Sequence, residues 1–460
     1  MNKKYVKSPA SFRDPSGFIF FNKNKPFRAI NNRYREHYDQ LIKSGLFKKL
    51  VDEELLIPHK EKNIENLKYK NFFKILEPQC LEFVSYPYEW SFSQLKDAAL
   101  ATLRIQKLSM QKGMTLKDAS AYNIQFHNGK PMLIDILSFE KYRDGEPWIA
   151  YRQFCQHFLA PLALMSYKDV RLNSLLKNSI YGIPLDLASK LLPLKTKINF
   201  HLMTNIHLHS KFQSKYSNRS EKITGKKVSS RNLLAIIESL ESGIRSLKWH
   251  PKGTEWANYY EETNYSKNGI KDKERIIEEY LSKVSPKIVW DLGANNGEFG
   301  RIALKNDINL VASFDMEPAA VEQNYRFVKK NKETKHLPLL LDLTNPSPAI
   351  GWRNKERMSL LQRANADTVL ALALIHHLAI SNNLSFDMQA KFFSEICKSL
   401  IIEFIPKEDS NAERLLAVRE DIFEDYNESY FVKAFGEYFV IKDKNKIKGS
   451  TRTIYLMVKK

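Results

Sequence analysis

Lys287-Ile-Val-Trp-Asp291-Leu-Gly293-Ala-Asn-Asn-Gly297-Glu-Phe-Gly300 reads as a buried strand running into a glycine-bearing turn, with Phe299, Ile302 and Ala303 opening a helix. Glycine permits the tight turn and lets a ligand approach the backbone, and the free amides at a helix start favour an anionic group. A nucleotide-like ligand is therefore expected at this turn. The spacing is Gly-x-x-x-Gly-x-x-Gly, and the acid Asp291 precedes the first glycine. Dinucleotide-binding folds carry Gly-x-Gly-x-x-Gly instead, with the acid well downstream.

Apolar strands alternate with amphipathic helices from Ile276 onward, the signature of a parallel α/β sheet. A second strand, Asn309-Leu-Val-Ala-Ser-Phe314, ends in Asp315, 24 residues after Asp291. A carboxylate there can accept hydrogen bonds from both hydroxyls of a ribose. A third, Leu337-Pro-Leu-Leu-Leu341, ends in Asp342, placed to accept from an adenine amino group. A fourth, residues 367–375, ends in His376-His377, and a fifth, Leu400-Ile-Ile402, ends in Glu403. Strand ends at one edge of a parallel sheet converge on the ligand crevice.

In order and content these segments, from about residue 249 to 460, resemble the class I S-adenosylmethionine-dependent methyltransferases. The resemblance implies a Rossmann-like sheet of seven strands, for which residues 438–441 and 453–458 would supply the closing antiparallel pair. It implies S-adenosyl-L-methionine as cofactor, with Asp291, Gly293 and Gly297 lining its methionine part, Asp315 its ribose and Asp342 its adenine. Methyl transfer from a sulfonium needs mainly in-line positioning, and a base only when the acceptor carries a proton. His376, His377 and Glu403 are the candidate catalytic residues, since all follow strands at the same edge. There is no Asn-Pro-Pro-Tyr-type motif for amide or exocyclic-amine methylation. Cytosine C5 chemistry lacks its paired cysteines, because Cys397 is expected inside a packed helix and is the domain's sole cysteine.

The N-terminal half reads differently. Residues 17–21 and 26–30 are expected as short strands around a polar turn, followed by a helix burying Tyr34, Tyr38, Leu41 and Ile42. Residues 72–86 look strand-rich and residues 92–110 helical, and a polar, basic loop over 211–231 precedes a helix over 232–247. The boundary falls near Pro251, giving domains 1–250 and 251–460. Within the first, Leu116-Lys-Asp118-Ala-Ser-Ala-Tyr-Asn123 and the hairpin leading to Ile134-Asp135 resemble the catalytic core of kinase-like phosphotransferases. In that superfamily the positions of Asp118, Asn123 and Asp135 serve as base and metal ligands. The segment lacks a phosphate-covering glycine loop and a recognisable strand lysine, and Asp135 is followed by Ile-Leu rather than Phe-Gly. The expectation is an α+β kinase-like domain without phosphoryl transfer and without a working metal site. The whole arrangement resembles a group of two-part bacterial methyltransferases that includes nodulation-type proteins.

Composition bounds the rest. At 460 residues and 43% apolar the chain can bury two cores. Lys and Arg number 72 against 52 Asp and Glu, a formal charge of +20 that could attract nucleic acid, but no arginine-aromatic recognition segment accompanies it. Part of this charge is expected in basic loops over 211–231 and 442–448. Cys80, Cys155 and Cys397 offer no CxxC spacing. The longest apolar run, 368–375, falls far short of the ~20 residues of a bilayer helix, and no secretory signal is visible, so a cytoplasmic address without a membrane span is expected. The reading is a methyltransferase for a small-molecule acceptor that the N-terminal domain helps to recognise. The alternatives are a bifunctional enzyme with an ATP/Mg-dependent phosphotransferase, or a methyltransferase that binds RNA.

Overall fold

In the computed structural model the first 140 residues form short strands, paired mostly with near neighbours, around the helices Arg35–Lys43 and Phe92–Gln111. The structure describes residues 5–23, 25–64, 69, 71–209, 228–251 and 265–460. The chain divides into two compact units, Met1–His250 with Ala349–Arg357, and Pro251–Pro348 with Met358–Lys460.

In the first unit β1 (Val6–Lys7), β2 (Gly17–Asn22), β3 (Lys25–Asn31), β4 (His59–Lys62) and β5 (Phe72–Pro78) form an antiparallel sheet in the order β1-β2-β3-β5-β4. The expected strand over 72–86 stops at Pro78. Beyond it the backbone of Ser85 is satisfied by a side chain, giving its N–H to Gln125 Oε1 at 2.8 Å and accepting from Gln125 Nε2 at 2.8 Å, so no ladder partner is needed. The helix Arg35–Lys43 buries Tyr38 and Leu41, while Ile42 faces outward. The helix Phe92–Gln111 begins at a capping box in which Ser91 and Gln94 exchange side-chain-to-backbone bonds. After it come β6 (Met114–Leu116), β7 (Ile124–His127), β8 (Lys130–Leu133) and β9 (Phe139–Lys141), with β7 and β8 joined through Asn128 and Gly129, both at positive φ. Most of the loop expected over 211–231 lies outside the described residues. The helix expected from 232 starts at Ser230, where Ser229 caps it.

The second unit carries a sheet of seven strands: β10 (Ile288–Leu292), β11 (Leu310–Asp315), β12 (His336–Leu340), β13 (Ala366–Ala371), β14 (Cys397–Phe404), β15 (Phe439–Lys446) and β16 (Thr453–Lys459). Their order is β12-β11-β10-β13-β14-β16-β15, with β16 antiparallel to both neighbours and the other pairings parallel. This is the Rossmann-like sheet implied by the methyltransferase resemblance. Val289, Val311, Leu370, Ile401 and Leu456 line one core with Ile276, Ile277, Tyr280 and Leu281 of the helix Lys267–Val284. Each such side chain contributes about 1.5–3 kcal/mol on burial.

Three local expectations are corrected. The fourth strand ends at Ala371 rather than 375, because Ala373 turns to φ 50° and its N–H leaves the ladder for Glu403. Cys397 opens β14 instead of lying in a helix: the helix Phe386–Ile396 ends one residue earlier, and the thiol reaches back to Phe393 O at 3.2 Å. Residues 442–446 of the expected basic loop continue β15, where lysines alternate along an edge strand and guard it against further pairing. No helix among the described residues is long and apolar enough to cross a membrane.

Candidate functional site at the carboxyl edge of the sheet

The turn after β10 folds over the end of β11. Gly293 and Ala294 both donate to Phe314 O, at 2.9 and 3.0 Å, and Gly293, Asn295 and Gly297 all sit at positive φ. Glycine is required at 297 for a second reason: a Cβ there would fall 2.4 Å from Asn324 Nδ2. At Gly300 a Cβ would meet Ser313 Oγ at 2.9 Å, which fixes the close approach of the helix Glu298–Ala303 to β11.

Two carboxylates flank this turn. Asp291 pairs in register with Ser313 on one side and Leu370 on the other, and Asp315 ends the neighbouring strand. Asp315 braces the loop, its Oδ2 accepting from Asn295 N at 2.7 Å and its Oδ1 from Glu317 N at 2.8 Å. Burial pushes its pKa up to about 6. Burial likewise pushes Asp291 up to about 7, with the Gly300 amide opposing it, and its Oδ2 is enclosed without a well-aligned hydrogen bond. An under-satisfied carboxylate oxygen beside a left-handed glycine turn fits a ligand bearing donors, as a cationic amino group or sugar hydroxyls would be. Asp342, just beyond β12, is half-buried and takes Thr344 N at 2.8 Å and Thr344 Oγ1 at 2.6 Å on Oδ1.

The ends of β13 and β14 supply the second cluster. His376 is fully enclosed and neither ring nitrogen has a partner, while its ring lies 4.2 Å from that of His377. Burial, reinforced by His377, Arg452 and Lys273, holds His376 well below the usual imidazole range, so it is neutral at pH 7. His377 is also lowered by burial.

Glu403 is saturated by protein. Its Oε2 accepts from Lys273 Nζ and Ala373 N, both at 2.8 Å, Tyr265 donates its hydroxyl to Oε1, and Arg452 Nη1 lies 3.8 Å away. Burial alone would raise this carboxyl, but Lys273 and Arg452 outweigh it and hold it below the ordinary value. Arg452 is in turn gripped by Asp409 through two bonds of 2.7 and 2.8 Å. Sequence reasoning missed Lys273 and Arg452. The signal for Lys273 was available: it interrupts the apolar face formed by Gly269, Ile276, Ile277 and Tyr280. Its ammonium also lies 4.6 Å above the Phe299 ring, which ties this network to the glycine turn.

In the first unit Asp118, Asn123 and Asp135 come together. Asp118 accepts from Ser120 N at 3.0 Å and from the Asn123 and Gln153 side chains, and burial, then the charge of Asp135, raises its pKa. Asp135 accepts from Leu137 N and Ser138 Oγ and pairs with Arg28 of β3 at 2.8 Å. No group of three or more His, Cys, Asp or Glu able to hold a metal occurs among the described residues.

The chain is 36% identical to the nodulation protein NoeA of Rhizobium meliloti (strain 1021) over 453 residues, which is 97% of this chain and 94% of that protein. No family model matches. Among solved structures, the N-methyltransferase NodS from Bradyrhizobium japonicum WM9 aligns at 9% identity over 42% of this chain and 98% of its own, with a TM-score of 0.31. Magnesium protoporphyrin IX methyltransferase (ChlM) from Synechocystis PCC 6803 aligns at 14% identity over 45% and 93%, with a TM-score of 0.32.

Proposed function

The chain belongs to the family of the nodulation protein NoeA, and from that premise we propose that it is an S-adenosylmethionine-dependent methyltransferase acting on a small-molecule acceptor. The observation that carries this reading is the pair Asp291 and Asp315 flanking a left-handed glycine turn at the carboxyl edge of a sheet ordered β12-β11-β10-β13-β14-β16-β15. Such an edge is where parallel sheets bind nucleosides.

When bound, S-adenosylmethionine supplies a methyl group activated by its sulfonium. The chain's own task is alignment and exclusion of water. Asp315 can hold the ribose, because each of its oxygens keeps a lone pair beyond the bond it accepts from the loop. Asp291, with Gly293 and Gly297, would receive the methionine part, and Asp342 the adenine amino group. Of the two candidate bases that follow the fourth strand, His377 is the better placed, since it is only partly buried, whereas His376 is fully enclosed and held well below the usual imidazole range. Glu403 acts as a positioning residue: with both oxygens engaged it fixes the Ala373 turn that leads into His376.

The first unit is assigned to acceptor recognition. Phosphoryl transfer is left out of the reading because Arg28 already neutralises Asp135, whose oxygens are otherwise spent on its own loop.

Calorimetric titration of the full-length chain tests the proposal. S-adenosylhomocysteine should bind at one site per chain while NAD gives no heat. Binding of NAD without S-adenosylhomocysteine would sink it.

A further inference from the structure

One stretch of the first unit is uneven in both charge and exposure. From Leu187 to His209 the sequence holds no aspartate or glutamate, while Lys190, Lys195 and Lys197 fall in its first half. Between the helix Leu185–Leu191 and the turn Phe200–Leu202 a single 3₁₀ turn, Leu194–Lys197, stands at the surface. Leu194 is 76%, Ile198 89% and Phe200 68% exposed, and the three lysines are exposed beside them. Single exposed apolar residues are ordinary on a protein surface, but three so close in sequence form a patch.

The exposure is built into the turn. Thr196 is fully buried, its hydroxyl donating to Pro193 O at 2.6 Å and lying 2.9 Å from His207 Nε2. His207 is itself buried, with Ser189 Oγ 2.8 Å from its Nδ1. At about three residues per turn, a Thr196 anchored inward sends Leu194, Lys195, Lys197 and Ile198 outward. Lys195 lies 5.7 Å over the Tyr167 ring, and none of the three lysines meets an acid among the described residues. The apolar surface continues past the turn: Phe200 shares with Ile236, Trp148 and Val228 the walls of a cavity of about 650 Å³.

Protruding apolar side chains interleaved with lysines fit one kind of surface, an anionic bilayer, whose acyl boundary takes the former and whose headgroups take the latter. A nucleic acid would use the lysines and leave Leu194, Ile198 and Phe200 in water. We propose that the segment Leu194–Phe200 docks the first unit on an anionic lipid surface. Leu194, Ile198 and Phe200 enter the headgroup boundary, and Lys190, Lys195 and Lys197 meet the lipid phosphates. Such a contact is peripheral and needs no membrane span, and no described helix is long and apolar enough to supply one.

Flotation of the full-length chain with lipid vesicles tests the proposal. The chain is expected to float with vesicles of equimolar phosphatidylcholine and phosphatidylglycerol and to stay behind with phosphatidylcholine alone. The variant Leu194→Ser/Ile198→Ser/Phe200→Ser keeps every charge and should lower the partition coefficient by about tenfold or more. Lys190→Gln/Lys195→Gln/Lys197→Gln should do the same, since each lysine at such a surface contributes about fivefold. Circular dichroism checks that both variants fold, and Ile198→Asp alone, at the most exposed of the apolar positions, gives a single-site version of the first. Excess glycerol 1-phosphate, the free headgroup, should not displace the chain. Flotation indifferent to the serine variant would show that the net charge of +20 alone draws the chain to the vesicles, and overturns the proposal. It is overturned equally by failure to float, by flotation indifferent to the glutamine variant, or by displacement with glycerol 1-phosphate. A serine variant that turns a dimer into a monomer in analytical ultracentrifugation, with flotation unchanged, would give the patch to a second copy of the chain instead.

Discussion

Asp315→Ala is expected to weaken S-adenosylhomocysteine binding by about 1.5–3 kcal/mol, roughly 10- to 150-fold in Kd, the range for hydrogen bonds to a charged group. The carboxylate is used twice. It would accept from the ribose, and it already braces the loop through Asn295 N and Glu317 N. Removing it takes away the ligand contact and also releases the turn that shapes the pocket, so the loss belongs at the upper end of that range. Asp315→Asn keeps one acceptor oxygen and should fall between the two. Calorimetry on variants shown to be folded by circular dichroism decides the matter, and an unchanged Kd in folded Asp315→Ala would remove this residue from the site.

The largest effect on stability is expected at Lys273. Lys273→Met should destabilise the second unit by about 3–5 kcal/mol, the usual cost of removing one partner from a buried ion pair. Lys273 and Glu403 are both essentially inaccessible, and without the ammonium Glu403 keeps Arg452 at 3.8 Å, a guanidinium already bonded twice to Asp409. The companion variant Lys273→Met/Glu403→Leu removes both charges and should recover much of the loss, since well-packed apolar replacements of buried pairs are often neutral. Urea unfolding followed by tryptophan fluorescence, with Trp290 at the centre of this sheet, reads both. Equal destabilisation by the single and double variants would show that packing, not charge, is what Lys273 supplies.

The residues that sequence reasoning reached are those whose role is local. Asp291, Asp315 and Asp342 each follow an apolar run that reads as a strand by itself, and Gly293 and Gly297 announce a turn whatever surrounds them. The tail pair β15 and β16 was legible for the same reason, although β15 runs on to Lys446 through residues whose alternating exposure marks an edge. What stayed hidden depends on distant partners. Lys273 and Glu403 lie 130 positions apart, and Arg452 and Asp409 lie 43 apart. Glu403 looked like a candidate base from its place at the strand edge, and only the convergence of Lys273, Tyr265 and the Ala373 amide reveals it as saturated. Cys397 was misplaced by one residue at a helix-to-strand junction, where apolar runs of both periods overlap. The ion pair of Arg28 with Asp135 was missed for the same reason as that of Lys273, since it joins two distant segments of the chain.

The central claim is that the carboxyl edge of β10, β11 and β12 holds an adenosine-bearing cofactor, and a crystal structure of the full-length chain grown with S-adenosylhomocysteine tests it most directly. The account predicts ribose hydroxyls within hydrogen-bonding distance of Asp315, the adenine beside Asp342 and the amino-acid part over the Gly293 and Gly297 turn, next to Asp291. Density for the ligand away from these residues, with Asp315 still holding its two loop amides and nothing else, would contradict it.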